Sequence, residues 1–123
     1  MLEIKAIQDK TIQEQLCLEC GIEYDADTLA YSIYDNDEPV GIVQFAIKGS
    51  CGMIYNISKS DDIQAIVTAI RAVFSFLDIC GINDVYFKDA AYDEKLIKMF
   101  GFAKKDGTWY INLEGFFDTP CHP

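Results

Sequence analysis

Positive charge is scarce in this chain: ten Lys and Arg stand against twenty Asp and Glu, a formal charge of −10. That balance repels phosphate backbones and anionic lipid, and no local basic patch offsets it, so nucleic acid and membrane surfaces are excluded as expected partners. No apolar run is long enough to span a bilayer. The stretch Met1 to Ala6 also lacks the basic-then-apolar order of a signal peptide, and the expected location is cytoplasmic. Histidine occurs once, at His122, where a nucleophile activated by imidazole would depend on the end of the chain. Zinc-type cysteine pairing is missing too. Cys17 and Cys20 have C-x-x-C spacing, but no second pair accompanies them, and Cys51, Cys80 and Cys121 are scattered. The expectation is no metal, with Cys17, Cys20 and Cys80 as buried free thiols. The turn acids Asp25, Asp27, Asp35 and Asp37 match no calcium loop, because the bidentate Glu at the required offset is lacking.

What the chain does have is apolar content. Half of its 123 residues are hydrophobic, which is enough for one core and rules out a disordered chain. Residues 1–117 are expected to form a single domain and 118–123 a short tail. Leu2, Ile4 and Ala6 alternate with Glu3 and Lys5, the period of a half-buried strand. A helix follows, capped by Asp9 or Thr11, with Ile12, Leu16, Cys17 and Cys20 on one face and Gly21 at its stop. Three strands in meander order are expected at Thr28 to Tyr34, Val40 to Ile47 and Gly52 to Ile57. The clearest element is a helix from about Asp61 to Cys80, with Ser60 as N-cap and two acids in its first turn. Its packed stripe is Ile63, Ile66, Val67, Ile70, Val73, Phe74 and Leu77. Val85 to Lys88 reads as a strand, Asp93 to Phe100 as a helix, and Trp109 to Leu113 as a strand with Trp109, Ile111 and Leu113 pointing one way. A single long helix between Gly52–Ile57 and Val85–Lys88 implies a right-handed parallel crossover, whereas the earlier hairpins imply antiparallel pairing. The fold class is therefore α/β in the α+β sense, a mixed and mostly antiparallel sheet flanked by helices.

This element order, together with Met99-Phe100-Gly101-Phe102 followed by a turn and an aromatic strand, resembles the GNAT superfamily of acyl-CoA N-acyltransferases. The resemblance covers nearly the whole chain. The family's second helix is reduced to Ile22–Asp27 or lost. It implies an acyl-CoA-dependent N-acetyltransferase acting on a small-molecule or protein amine. The backbone of Tyr55, Asn56, Ile57, Ser58, Lys59 and Ser60 would hold acetyl-CoA in a gap between the strand ending at Ile57 and the one starting at Asp84.

Several positions depart from the family pattern. The family's glycine-rich pyrophosphate loop corresponds here to Tyr55–Ile63, which has no glycine and carries Asp61 and Asp62 where phosphates would sit. Counted back from Phe102, the positions of the family's Tyr acid and its upstream Asn hold Ile97 and Ala90, neither of which donates a side-chain hydrogen bond. Tyr92, at the entrance of the last helix, is the candidate catalytic residue in their place. Glu38 and Asp37 are turn residues, and Asn56 is no base. The expectation is that acetyl-CoA binds weakly or not at all, and the alternative to the enzyme is a non-catalytic binding or regulatory module on the same fold. The pair Phe116-Phe117 either covers its own sheet or forms a homodimer contact.

Overall fold

A computed structural model describes residues 1–116; Phe117 and the tail, with Cys121 and His122, lie outside the described residues. The elements run β1 (Leu2–Ile7), α1 (Lys10–Cys20), β2 (Leu29–Asp35), β3 (Glu38–Lys48), β4 (Cys51–Ile57), α2 (Ile63–Ile79), β5 (Asp84–Phe87), α3 (Glu94–Met99), β6 (Ala103–Lys105) and β7 (Thr108–Asn112). One seven-stranded sheet has the order β1-β2-β3-β4-β5-β7-β6. All neighbours are antiparallel except β4 and β5, the parallel pair expected from the crossover through α2. Residues 22–28 contain no helix.

Helix α2 is the keel of the core. Ala65, Ile66, Ala69, Ile70, Val73, Phe74 and Leu77 are buried at spacings of three and four. Each large aliphatic side chain removed from water in this way contributes about 1.5–3 kcal/mol. Gly52 on β4 lets Leu77 lie against the strand, since a Cβ there would stand 2.7 Å from Leu77 Cδ1. A ring cluster ties α3 to the same core: Phe87 and Phe102 pack at 5.5 Å, and Phe74 and Phe102 at 5.6 Å. Phe116 joins it, its ring 5.5 Å from Phe74. The opposite face of β2 and β3 is covered by α1, where Leu16 and Cys17 meet Ala30 and Ile42.

Several expectations are corrected. The cap of α2 is Asp62 rather than Ser60, its carboxylate accepting from the Ala65 N–H at 3.2 Å, so the helix begins at Ile63 and has no acid in its first turn. Ile63, expected in the packed stripe, is 45 % exposed; the buried stripe begins at Ala65 and Ile66. On α1 the inward face carries Gln13 with Leu16 and Cys17, while Ile12 is exposed. Cys17 is a buried free thiol, but Cys20 is only half-buried and Cys80 is exposed. Cys80 caps the end of α2, its backbone N–H donating to the Phe76 and Asp78 carbonyls. Strand β6 has no counterpart among the expected elements. It pairs with β7 through Asp106 and Gly107, whose φ values of 54° and 81° make the tight turn that suits an Asp-Gly hairpin.

Candidate functional site

The site forms where β4 and β5 part. Their ladder runs from Cys51–Asp84 to Ile54–Phe87 and closes with the Lys88 N–H on the Ile54 carbonyl at 2.8 Å. Beyond it β4 continues to Ile57 without a partner on that side. A bulge causes the departure: Gln44 pairs with Asn56 and Phe45 with Ile54, leaving Tyr55 as the extra residue. The bulge also changes the strand's phase. The Ile54 carbonyl points to β5, whereas the Ser58 N–H points back to the Ile42 carbonyl on β3 at 3.0 Å. By the alternation of a pleated strand, the peptide groups of Ile57 then face the gap. Side chains shift in step, so Ile54 and Ile57, three apart, are both buried in the core.

The resulting cleft has a volume of about 570 Å³ and brings together Tyr55, Asn56, Ile57, Lys59 and Tyr92 from the expected set. Ser60 lines a neighbouring hollow that shares Lys59 and Tyr92. Ser58 lines neither: its hydroxyl accepts from the Ile42 N–H at 2.9 Å while its own N–H donates to the Ile42 carbonyl, so both groups are turned toward β3. Tyr92 is 5 % exposed and its hydroxyl donates to the Ser58 carbonyl at 3.4 Å. Burial, with Asp93 and Asp89 nearby, pushes its pKa up to about 12, which keeps the phenol protonated at neutral pH. Lys88 lies over the Tyr55 ring, 4.5 Å from its centroid. Among the described residues neither Lys59 nor Lys88 forms an ion pair. The acids at the rim are Glu23, Asp25 and Asp89.

The cleft's second wall is residues 22–25, and a buried amide network absent from the sequence reading holds it. Gln44 is 0 % exposed. Its amide nitrogen donates to the Glu23 carbonyl and to Asn56 Oδ1, each at 2.8 Å, and its Oε1 accepts from Gln13 Nε2 at 2.7 Å and the Asp25 N–H at 3.1 Å. Asn56 Nδ2 adds a bond to the same Glu23 carbonyl at 3.0 Å. The signal was a lone amide in the apolar run Ile42-Val43-Gln44-Phe45-Ala46, which a central strand keeps only with full hydrogen bonding. Among the described residues no group of three His, Cys, Asp or Glu is arranged to hold a metal, and no helix is long and apolar enough to cross a membrane.

Solved structures share this architecture. An N-acetyltransferase from Staphylococcus aureus superposes with a TM-score of 0.69 over 93 % of this chain and 99 % of its own, at 12 % identity.

 The E. coli protein YhhK, whose structure holds coenzyme A, matches 91 % of this chain and 98 % of its own, at 13 % identity and a TM-score of 0.62. An N-acetyltransferase from Thermoplasma acidophilum in complex with coenzyme A matches 83 % of this chain and 65 % of its own, at 9 % identity and a TM-score of 0.55. No family model matches the sequence. No curated relative matches it either. The fold is that of the GNAT acetyltransferases.

Proposed function

We propose that this protein is a divergent N-acyltransferase that takes an acyl thioester into the cleft between β4 and β5 and transfers the acyl group to an amine, from either a small molecule or a protein. The observation that carries the reading is the bulge at Tyr55, which leaves the Ile57 peptide facing a gap beside the buried Tyr92 phenol. An extended pantetheine arm has amides that such a strand edge can hydrogen-bond. The thioester supplies an activated acyl carbon. Attack by the amine nitrogen forms the C–N bond and breaks the C–S bond, and the departing sulfur takes a proton from the Tyr92 hydroxyl while the new amide nitrogen gives one up to solvent. The long bond to the Ser58 carbonyl leaves that phenol proton free to move. Glu23, Asp25 and Asp89 at the rim favour a cationic acceptor over an anionic one.

Two features support a non-catalytic binding module as the second reading: the positions that resemblance assigns to the acid and its Asn hold Ile97 and Ala90, and Ile97 is fully buried. Release of free thiol from acetyl-CoA, measured with a panel of amines, separates the two. Amine-dependent thiol release supports the enzyme. Binding by calorimetry without any turnover would leave the module.

A further inference from the structure

The far end of the cleft does not fit the nucleotide half of coenzyme A. A pyrophosphate at a helix start needs free N–H groups and no competing anion. At α2 the Asp62 carboxylate already sits on the Ala65 N–H, and the Ser60 hydroxyl accepts from the Asp62 N–H at 3.0 Å. Asp61 stands beside them, and both carboxylates are exposed. Ser58 is turned inward onto Ile42, so the segment between β4 and α2 presents no glycine-supported nest, and its remaining hydroxyl, on Ser60, is held against the Asp62 N–H. A phosphate there would meet two like charges, with Lys59 as the one cation on the segment. The pantetheine end has none of these obstacles, because its contacts come from the Ile57 peptide and its room comes from the bulge.

We infer that the acyl donor is recognised through its pantetheine arm alone, so that a thioester lacking the nucleotide serves as well as the coenzyme A thioester. This rests on the acyl-thioester reading above and deepens it by naming the donor class. A built pyrophosphate site makes removal of the nucleotide costly to affinity; a capped and acidic helix start makes it nearly free, since the 3′-phosphate and pyrophosphate contribute repulsion rather than contacts.

The test compares dissociation constants of acetyl-CoA, S-acetylpantetheine and adenosine 3′,5′-bisphosphate for the wild-type protein by titration calorimetry at moderate salt. The expected result is that the two thioesters bind within about tenfold of each other, a difference under about 1.4 kcal/mol, and that the bisphosphate does not compete. Acetyl-CoA binding more than about tenfold tighter than S-acetylpantetheine, or displacement by the bisphosphate, would overturn the inference while leaving the thioester reading in place. Absence of binding by both thioesters would instead remove the thioester reading itself, and this inference with it. A second variant tests the cause. In the combined Asp61→Asn and Asp62→Ser protein the cap is kept and the charge removed, so acetyl-CoA should gain affinity relative to S-acetylpantetheine. An unchanged ratio would show that the carboxylates do not set the selectivity and would overturn the argument.

Discussion

The Tyr92 hydroxyl meets the main-chain carbonyl of Ser58 at 3.4 Å, bridging the entrance of α3 and the end of β4 across the gap between the two parallel strands. The Tyr92 ring is held independently, packed on Phe87 at 5.8 Å and Phe100 at 6.3 Å. Tyr92→Phe therefore removes the proton and keeps the packing. The expected outcome is a fall in acyl transfer of about 10²–10⁴-fold with thioester affinity unchanged. Stability should drop by about 0.5–1.5 kcal/mol, given the single neutral hydrogen bond lost. Unchanged turnover would remove Tyr92 from the chemistry.

Alkaline pH should destabilise the fold ahead of any general unfolding. Burial raises Tyr92 from 10.0 to about 12 and Cys17 from 9.0 to about 11. In both groups the folded state holds its proton longer than the unfolded chain, so the unfolded state binds fewer protons and stability falls with rising pH. The contribution is whole below pH 9, declines first through Cys17 and then through Tyr92, and is gone above pH 12. Urea unfolding between pH 8 and 11 reads this directly, and Tyr92→Phe should flatten the upper part of the decline. A flat profile across that range would contradict the assignment.

Gln44→Leu should be among the most damaging substitutions outside the apolar core. It strands the Asp25 N–H and Asn56 Oδ1 and takes from Gln13 Nε2 its 2.7 Å bond, although that nitrogen keeps Thr28 Oγ1 and the Asp25 carbonyl. Leaving buried polar groups unpaired costs about 1–3 kcal/mol each, and with partial relaxation a loss of about 3 kcal/mol is expected. Hydrogen exchange of residues 22–28 should rise with it, since Gln44 anchors that wall. A loss below about 1 kcal/mol would show that the network is not needed to hold the loop.

Gly41→Ala should act at the site without touching it. A Cβ at Gly41 would stand 2.8 Å from both Ser58 Oγ and Ile33 Cδ1, so the hydroxyl must leave the Ile42 N–H. Overpacking of this kind costs about 1–3 kcal/mol, and thioester binding should weaken along with stability as the end of β4 shifts. Calorimetry and thermal unfolding of the same sample check both, and an unperturbed variant would mean that Ser58 is free to move.

Phe116→Ser should lower stability by about 1–2 kcal/mol without altering sedimentation, because Phe116 packs on Phe74 within its own domain. A change in sedimentation would restore the subunit contact as its role.

Legibility in the sequence followed the strength of each local signal. The stripe of α2 and the parallel crossover were readable because a long amphipathic helix between two strands leaves little choice of topology. The cap was misplaced because Ser60 and Asp62 are both good N-caps, and only the geometry shows the carboxylate reaching Ala65. The bulge at Tyr55 was invisible for a different reason. A period of two puts Ile54 and Asn56 on one face, whereas one inserted residue puts Ile54 and Ile57 there. The amide network escaped notice because Gln13 and Gln44 are 31 positions apart and meet only when α1 closes over β3. Tyr92 is a candidate in the sequence by its position at the helix entrance, but nothing there puts it in the cleft or joins it to Ser58.

The extra residue in β4 also sets how this scaffold can lose its opening. Removing Tyr55 would restore the two-residue rhythm of the strand, leave Asn56 outward and Ile57 inward, and let the strand edge run alongside β5 instead of away from it. Opening and closing are thus separated by a single codon, while α2 and its buried stripe would stay where they are. A chain with this architecture can become a sealed sheet by one deletion, and what keeps it open is a length, not a chemical group.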